Sequence, residues 1–522
     1  MGPLAYVGAA SIPRRDQSLT RASFDRSIPG SDMSDECLRM TRRQCCLGAM
    51  ALLAAGCSTG ESRPALISEK KERELGQEAA GEVERTVGLV QDPALVGYVR
   101  EIGRRLVAQT PQPDAPYEFH VADQTEPNAF ALPGGFVYVT RGLQALANSE
   151  DELAGVMGHE IGHVVARHSV RQIQASTPFS ILFGVPSAIV GIVSPALGGI
   201  VGGVGKLASG LVLAPYSRDQ EREADRIGIQ LAAKAGWDPA GLPSMLQTLE
   251  REEALAGGDP SRVSFFANHP ATPERVRDTT AAAKALTRGP GSPIAAPRPV
   301  FLARLDGLVV GPDPANGIFV KNVFQHPGLA FALEMPAGWK TKNMPAAAIA
   351  SEPDGRAAVA LQLSADGNDP LQGAREDGLE EREVSQVTRT TIAGLPAAQL
   401  IAQDREVRMH LTWIAYQGHV FRVTGISPPR AFETYREAFA RTAASFRPLR
   451  RDERERMTEV RLRPRPARSG ESVAAFVTRT GGTWKAEQTA VANGVVANAT
   501  LDDGFAMKVP IRQRYTERPA PK

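Results

Sequence analysis

Gly155-Val156-Met157-Gly158-His159-Glu160-Ile161-Gly162-His163-Val164-Val165-Ala166-Arg167-His168 is the stretch from which the rest of the chain is read. It is apolar except at a few positions. His159 and His163 are four apart, so on a helix they leave one face a turn apart, and both imidazoles can reach one metal ion. Glu160 sits beside the first of them, placed to reach a metal-bound water as general base. The competing reading is two helix-face histidines satisfied inside a core.

A second segment favours the metal. Ser217 opens a helix that carries Glu221-Arg222-Glu223-Ala224-Asp225. Glu221 and Asp225 are again four apart. One of these carboxylates can be a third ligand, leaving the fourth position of a tetrahedral site open; the other can hydrogen-bond a ligand histidine from behind.

With both segments in hand, residues 66–285 resemble the gluzincin-type zinc metallopeptidases that include the CAAX prenyl endopeptidase, the heat-shock protease HtpX and the periplasmic β-barrel assembly-enhancing protease BepA. The resemblance also rests on Leu75-Gly76-Gln77-Glu78, on Asn128-Ala129-Phe130-Ala131-Leu132-Pro133-Gly134-Gly135, and on Asn268-His269-Pro270 with Arg275. It implies one zinc per chain held by His159, His163 and Glu221, with Glu160 as base and Asp225 supporting a ligand. Glu223 then reads as a surface or supporting residue, and His168 as a hydrogen-bonding neighbour. It further implies an exposed edge strand at Asn128, Ala129 and Phe130 that pairs with extended substrate. His269 becomes a switch, a fourth ligand that holds the enzyme idle. His120, His326, His410 and His419 are isolated and read as structural.

Working outward, 60 basic and 58 acidic residues give a net charge of +2, which excludes a dedicated nucleic-acid binder. Cys37, Cys45, Cys46 and Cys57 are the only cysteines, so the chain beyond residue 57 has no disulfide framework and no cysteine-held zinc. Residues 1–57 read as a targeting segment. Arg42-Arg43, an apolar run and Ala55-Gly56-Cys57 resemble a lipoprotein signal with Cys57 lipidated. That implies a periplasmic protein anchored by lipid, at the outer membrane by the residue after Cys57. Residues 172–205 carry no charge, and within them 178–205 read as a broken apolar hairpin beside the site, because Pro178, Pro186 and Pro195 oppose a continuous span.

The expected fold class is α+β. A mainly helical zincin domain with a small sheet spans 58–288, with helix over 66–110 and again from Ser149 to Gln174. Residues 289–299 read as a linker. Residues 300–449 alternate like strands before a helix at Phe432–Ala444 and weakly resemble the PsbP/Mog1 fold. Residues 450–468 read as a charged tether. The module at 460–512 resembles LysM, on Ser469-Gly470-Glu471-Ser472 and Asn493-Gly494, which implies peptidoglycan as a partner. The expected function is a zinc endopeptidase that clears unfolded or misassembled envelope proteins. The alternative is a non-catalytic scaffold or chaperone, which has no use for Glu160.

Overall fold

The structure, a computed structural model, describes residues 67–175, 215–257, 264–270, 273–403, 405 and 407–517. Segment 1–57 with Cys57, and residues 176–205 of the uncharged stretch, lie outside them. No helix among the described residues is long and apolar enough to cross a membrane.

The first helices are α1 (Glu69–Thr86), capped by Ser68, and α2 (Pro93–Val107), capped by Asp92. The helical stretch expected over 66–110 is thus built as two helices. Gly88 takes a positive φ of 81° and Pro93 fits only a first turn, so the chain restarts there. Three short strands follow: β1 (Glu118–Ala122), β2 (Ala129–Leu132) and β3 (Phe136–Thr140). The sheet order is β1-β3-β2, with β1 parallel and β2 antiparallel to β3. Gly134 and Gly135, at φ 75° and 93°, make the turn between β2 and β3.

Next come α3 (Arg141–Leu146), α4 (Glu150–Val165) and α5 (His168–Ala175). The expected helix from Ser149 to Gln174 breaks at Arg167, whose φ is +54°. Ser149 caps α4 by accepting from the Glu152 N–H, while the Glu152 carboxylate accepts from the Asn148 N–H. After the undescribed residues run α6 (Arg218–Lys234), α7 (Gly241–Ala256), the single turn α8 (Phe265–Asn268), α9 (Pro273–Lys284) and α10 (Arg298–Arg304). Ser217 caps α6 in a full capping box with Gln220.

Helix α4 is buried from Leu153 through His163, which explains why its sequence is apolar almost all round. It crosses α6 with backbone against backbone. A Cβ on Gly158 would stand 2.8 Å from the Gly228 carbonyl oxygen, and one on Gly162 2.7 Å from that of Ala224. Glycine at these positions brings the two metal-type segments together.

Residues 318–448 build two sheets. Strands β4 (Ile318–Val320), β5 (Val323–His326) and β6 (Phe331–Glu334) join a later β14 (Arg447–Pro448) in the order β14-β6-β5-β4. Strands β7 (Lys340–Met344), β8 (Ala347–Ser351), β9 (Ala358–Asp366), β10 (Thr388–Ile392), β11 (Leu395–Gln403), β12 (Arg408–Tyr416) and β13 (His419–Ser427) form a seven-stranded sheet, order β10-β11-β12-β13-β9-β8-β7. Helix α11 (Pro370–Glu376) covers one face and α12 (Phe432–Ala444) the other.

Two expectations about connections are corrected. The linker at 289–299 is a docked strap: the N–H groups of Ile294 and Ala295 donate to the buried Glu150 carboxylate at 2.6 Å each, and Ala295 is fully buried. The tether at 450–468 is folded as α13 (Arg451–Arg456) and β15 (Thr458–Pro466). Strand β15 pairs antiparallel with β18 (Ala506–Arg514), and between them lie α14 (Val473–Thr480) and α15 (Ala486–Ala492), flanked by the short antiparallel pair β16 (Glu471–Ser472) and β17 (Thr500–Leu501). This module is fastened to the helical domain. The fully buried Lys508 Nζ donates to the carbonyls of Leu146, at 2.8 Å, and Ala147, at the end of α3. Arg298 donates to both Asn148 and Asn493.

Candidate metal centre

His159 and His163 leave α4 side by side and face Glu221 on α6 and His269, the residue after α8. All four are buried. One donor atom from each can be chosen so that all lie within 4.8 Å of one another. The shorter separations are His163 Nε2 to His159 Nε2 at 3.0 Å, His269 Nδ1 to Glu221 Oε1 at 3.0 Å, and His159 Nε2 to His269 Nδ1 at 3.2 Å. Glu221 Oε1 is 3.4 Å from His163 Nε2, and Oε2 is 3.6 Å from His159 Nε2. Donors at tetrahedral corners about 2.0–2.1 Å from a zinc ion stand about 3.3 Å apart. The residues therefore fit a metal ion.

Each ligand-type side chain is held from behind. Asp225 Oδ1 is 2.8 Å from His159 Nδ1. His168 Nδ1 is 2.9 Å from His163 Nδ1, and its other nitrogen is 3.1 Å from Glu223 Oε2. The left-handed Arg167 makes the turn that brings the His168 ring back to His163, and its guanidinium is pinned by Glu72 at 2.5 and 2.8 Å. Arg275 links the carboxylates: Nη1 is 2.7 Å from Glu221 Oε2, while Nε and Nη2 donate to Asp225 at 2.7 and 2.8 Å. Tyr216 stacks on His163, centroids 3.9 Å apart, and Phe265 on His269 at 4.4 Å.

Burial raises the Glu160 carboxyl above its ordinary range, and neither of its oxygens has a hydrogen-bond partner among the described residues. The nearest cation-forming group is His269 Nε2, 3.4 Å away. Burial would raise Glu221 too, but His269, His163 and His159 outweigh it and hold that carboxyl well below the usual range. For Asp225, Arg275 and His159 overcome burial and bring it down to about 2. Burial depresses His163 strongly, which keeps its imidazole neutral, the form that binds metals. The site thus holds one unpartnered base beside a cluster of fixed donors.

The expected residues His159, Glu160, His163, Glu221, Asp225 and His269 come together here. His120, His326, His410 and His419 are not in the cluster. Glu223 reaches it only through His168. Asn128, Ala129 and Phe130 lie at the edge of the three-stranded sheet, yet the expected exposure is absent: they are 1%, 0% and 5% accessible. The Thr140 N–H donates to the Asn128 carbonyl, so in this register Ala129 and Ala131 turn their N–H and C=O groups away from β3. Sequence reasoning passed over the roles of Tyr216 and Phe265 and gave Arg275 none. The one local signal for Tyr216 is an aromatic directly before a helix cap.

Residues 93–283 match the model of Peptidase family M48. The β-barrel assembly-enhancing protease of Escherichia coli K12 is 30% identical over 224 residues, which cover 42% of this chain and 45% of that protein. The mitochondrial metalloendopeptidase OMA1 of Schizosaccharomyces pombe is 32% identical over 214 residues, 40% of this chain and 60% of its own. The chain thus spans about half the length of these curated relatives. The solution structure of cyanobacterial PsbP from Synechocystis aligns with 27% of the chain and 98% of itself at 9% identity and a TM-score of 0.20, too low to bear on the fold. The segment 93–283, which contains both metal-type helices, belongs to peptidase family M48.

Proposed function

We propose that the chain is a zinc endopeptidase that cuts extended segments of unfolded or misassembled envelope proteins. The observation that carries this reading is the buried, unpartnered Glu160 carboxylate beside four converging donors. In it, His159, His163 and Glu221 hold zinc. Bound zinc supplies the Lewis acid that makes a water nucleophilic near neutral pH. Glu160 takes the proton of the attacking water and returns it to the leaving amine; its raised pKa suits both steps. Asp225 and His168 fix the tautomers of the two histidines. Arg275 keeps Glu221 charged and turned toward them. His269 is the switch: it fills the fourth position until substrate displaces it. Among the described residues, the outward N–H and C=O groups of Ala129 and Ala131 meet no backbone partner, which supports an extended, unfolded substrate pairing there.

The same reading places the protein in the periplasm, held to the outer membrane by lipid on Cys57. Its support is the arginine–apolar–small–cysteine order of residues 42–57, together with a relative named for enhancing β-barrel assembly. The module from β15 to β18 reads as LysM-like, with peptidoglycan as its partner, on the strand–helix–helix–strand order and the antiparallel pairing of its outer strands. Residues 300–449 read as a PsbP/Mog1-like domain.

The test is cleavage of unfolded casein by the zinc-loaded protein, with Glu160→Gln as control. Cleavage that Glu160→Gln abolishes while zinc stays bound supports the reading. No cleavage by the loaded wild type would leave the scaffold alternative.

A further inference from the structure

His269 follows directly on the single turn α8, and the first residue of that turn is an aromatic with no part in the metal chemistry. Phe265 and His269 are four apart, so across one helical turn they share a face. The His269 N–H closes the turn by donating to the Phe265 carbonyl at 2.9 Å. The Phe265 ring is fully buried and nearly parallel to the imidazole, with 17° between the planes and 4.4 Å between the centroids. The same ring stands 6.1 Å from that of His159.

The backbone of this turn is anchored at both ends. At the far end, the Asn268 carbonyl accepts from the Tyr216 N–H at 3.1 Å, and the His269 carbonyl from Arg275 Nη1 at 3.3 Å. At the near end, the Phe265 N–H donates to the Pro127 carbonyl at 3.0 Å. Pro127 is two residues ahead of Ala129, the first residue of β2. Phe265 therefore stands at the head of the proposed substrate edge and against the proposed switch. With its backbone held, His269 leaves the other donors by rotating its side chain, and that rotation breaks the stack on Phe265.

We infer that Phe265 is the positioning residue of the switch: its ring holds His269 among the metal donors and so sets how readily a substrate opens the site. The inference rests on the proposed peptidase activity and on His269 as its switch. An aromatic pair of this kind moves a two-state balance by about two- to tenfold. A substrate that binds only the open state has its apparent affinity reduced by the open fraction. Removing the ring should therefore lower KM by about that factor and leave kcat near its wild-type value.

Phe265→Leu and Phe265→Met keep apolar volume and remove the ring. Each is made in the wild type and in His269→Ala, loaded with one zinc, and assayed on a fluorogenic peptide of unfolded sequence. With His269 present, KM should fall about two- to tenfold at unchanged kcat. In the His269→Ala background, the same substitution should change KM by less than about twofold, because no imidazole remains to be held. A second readout needs no turnover. The His269 side chain is 1% exposed, so diethyl pyrocarbonate acylates it through the open state, and peptide mapping gives the rate. That rate should rise by the same factor in both ring-less variants. Equal KM changes in the two backgrounds, an unchanged acylation rate, or failure of both variants to fold makes Phe265 a packing residue and overturns the inference, with the peptidase reading intact. A wild type that cleaves as fast as His269→Ala refutes the switch and the inference with it. No cleavage by either loaded protein overturns the peptidase reading as well.

Discussion

Replacing Gly162 by alanine sets two effects of opposite sign against each other. In an exposed helix the change would stabilise by about 1 kcal/mol, because alanine loses less backbone entropy. Here the new methyl carbon would stand 2.7 Å from the Ala224 carbonyl oxygen and 3.1 Å from its Cα, where ordinary contact begins at 3.4 Å. Helices α4 and α6 must part by about 0.7 Å, the difference between 3.4 and 2.7 Å. Overpacking of this kind costs about 1–3 kcal/mol, so the net change is a destabilisation of about 0–2 kcal/mol. The larger effect is on metal. Gly162 adjoins His163, and Ala224 is one turn from Glu221, so the gap opens between the donors themselves. Metal–ligand distances tolerate about 0.2 Å, so a shift of that size should weaken zinc binding by about 10- to 100-fold. Chelator competition gives the zinc Kd, and melting with and without zinc gives the stability. Wild-type zinc affinity together with a raised melting temperature would refute the claim that glycine contact between these helices sets the site.

His269→Ala should raise basal proteolysis and self-cleavage with zinc content near one; unchanged basal activity counts against the switch, and lost activity with zinc retained would make His269 catalytic. Cys57→Ser should move the protein from the membrane to the soluble fraction on cell fractionation, and a variant that stays fully membrane-bound would place the attachment elsewhere in the chain. His326 carries a pH effect outside the metal centre. Burial pushes its imidazole down to about 4, and its Nδ1 accepts the Leu329 N–H, a bond only the unprotonated ring can make. The unfolded chain takes this proton near pH 6.5 and the folded one only near 4, so stability falls as pH drops between these values and levels off below. The part due to His326 is about 2 kcal/mol after allowing for its partial exposure. Urea unfolding at pH 7 and pH 4.5 should show a smaller drop for His326→Gln than for wild type; equal drops would refute it.

The chemistry-bearing core was legible because it is local. His159, Glu160 and His163 lie within one helical turn, and Glu221 and Asp225 within another, so spacing alone put each set on one face. The close approach of those faces was written in Gly158, Gly162 and Gly228, but only as permission. Which backbone meets them is a tertiary fact. The same holds for Arg275 and Tyr216, which act on groups dozens of residues away. Composition misled where tertiary contacts override it. Residues 289–299 look like a linker because proline and glycine dominate, yet two of their N–H groups are claimed by Glu150. Residues 458–466 look like a charged tether, yet Glu459 is buried, its carboxylate taken by Arg461 and Gln513, and Leu462 is in the core. Strand β2 lies at an edge of its sheet but is buried, because Phe130 and Leu132 pack with Ala79, Ala80 and Val83 of α1 while Ala129 and Ala131 pack in the main core.

The central claim is that His159, His163 and Glu221 hold a zinc ion, with Glu223 outside the ligand set. Zinc content by elemental analysis tests it on three proteins: wild type, Glu221→Gln and Glu223→Gln, purified alike. The account predicts one zinc per chain for wild type, none for Glu221→Gln, and zinc retained by Glu223→Gln at reduced affinity, because that residue acts only through His168. Full zinc in Glu221→Gln, with zinc lost from Glu223→Gln, would contradict it.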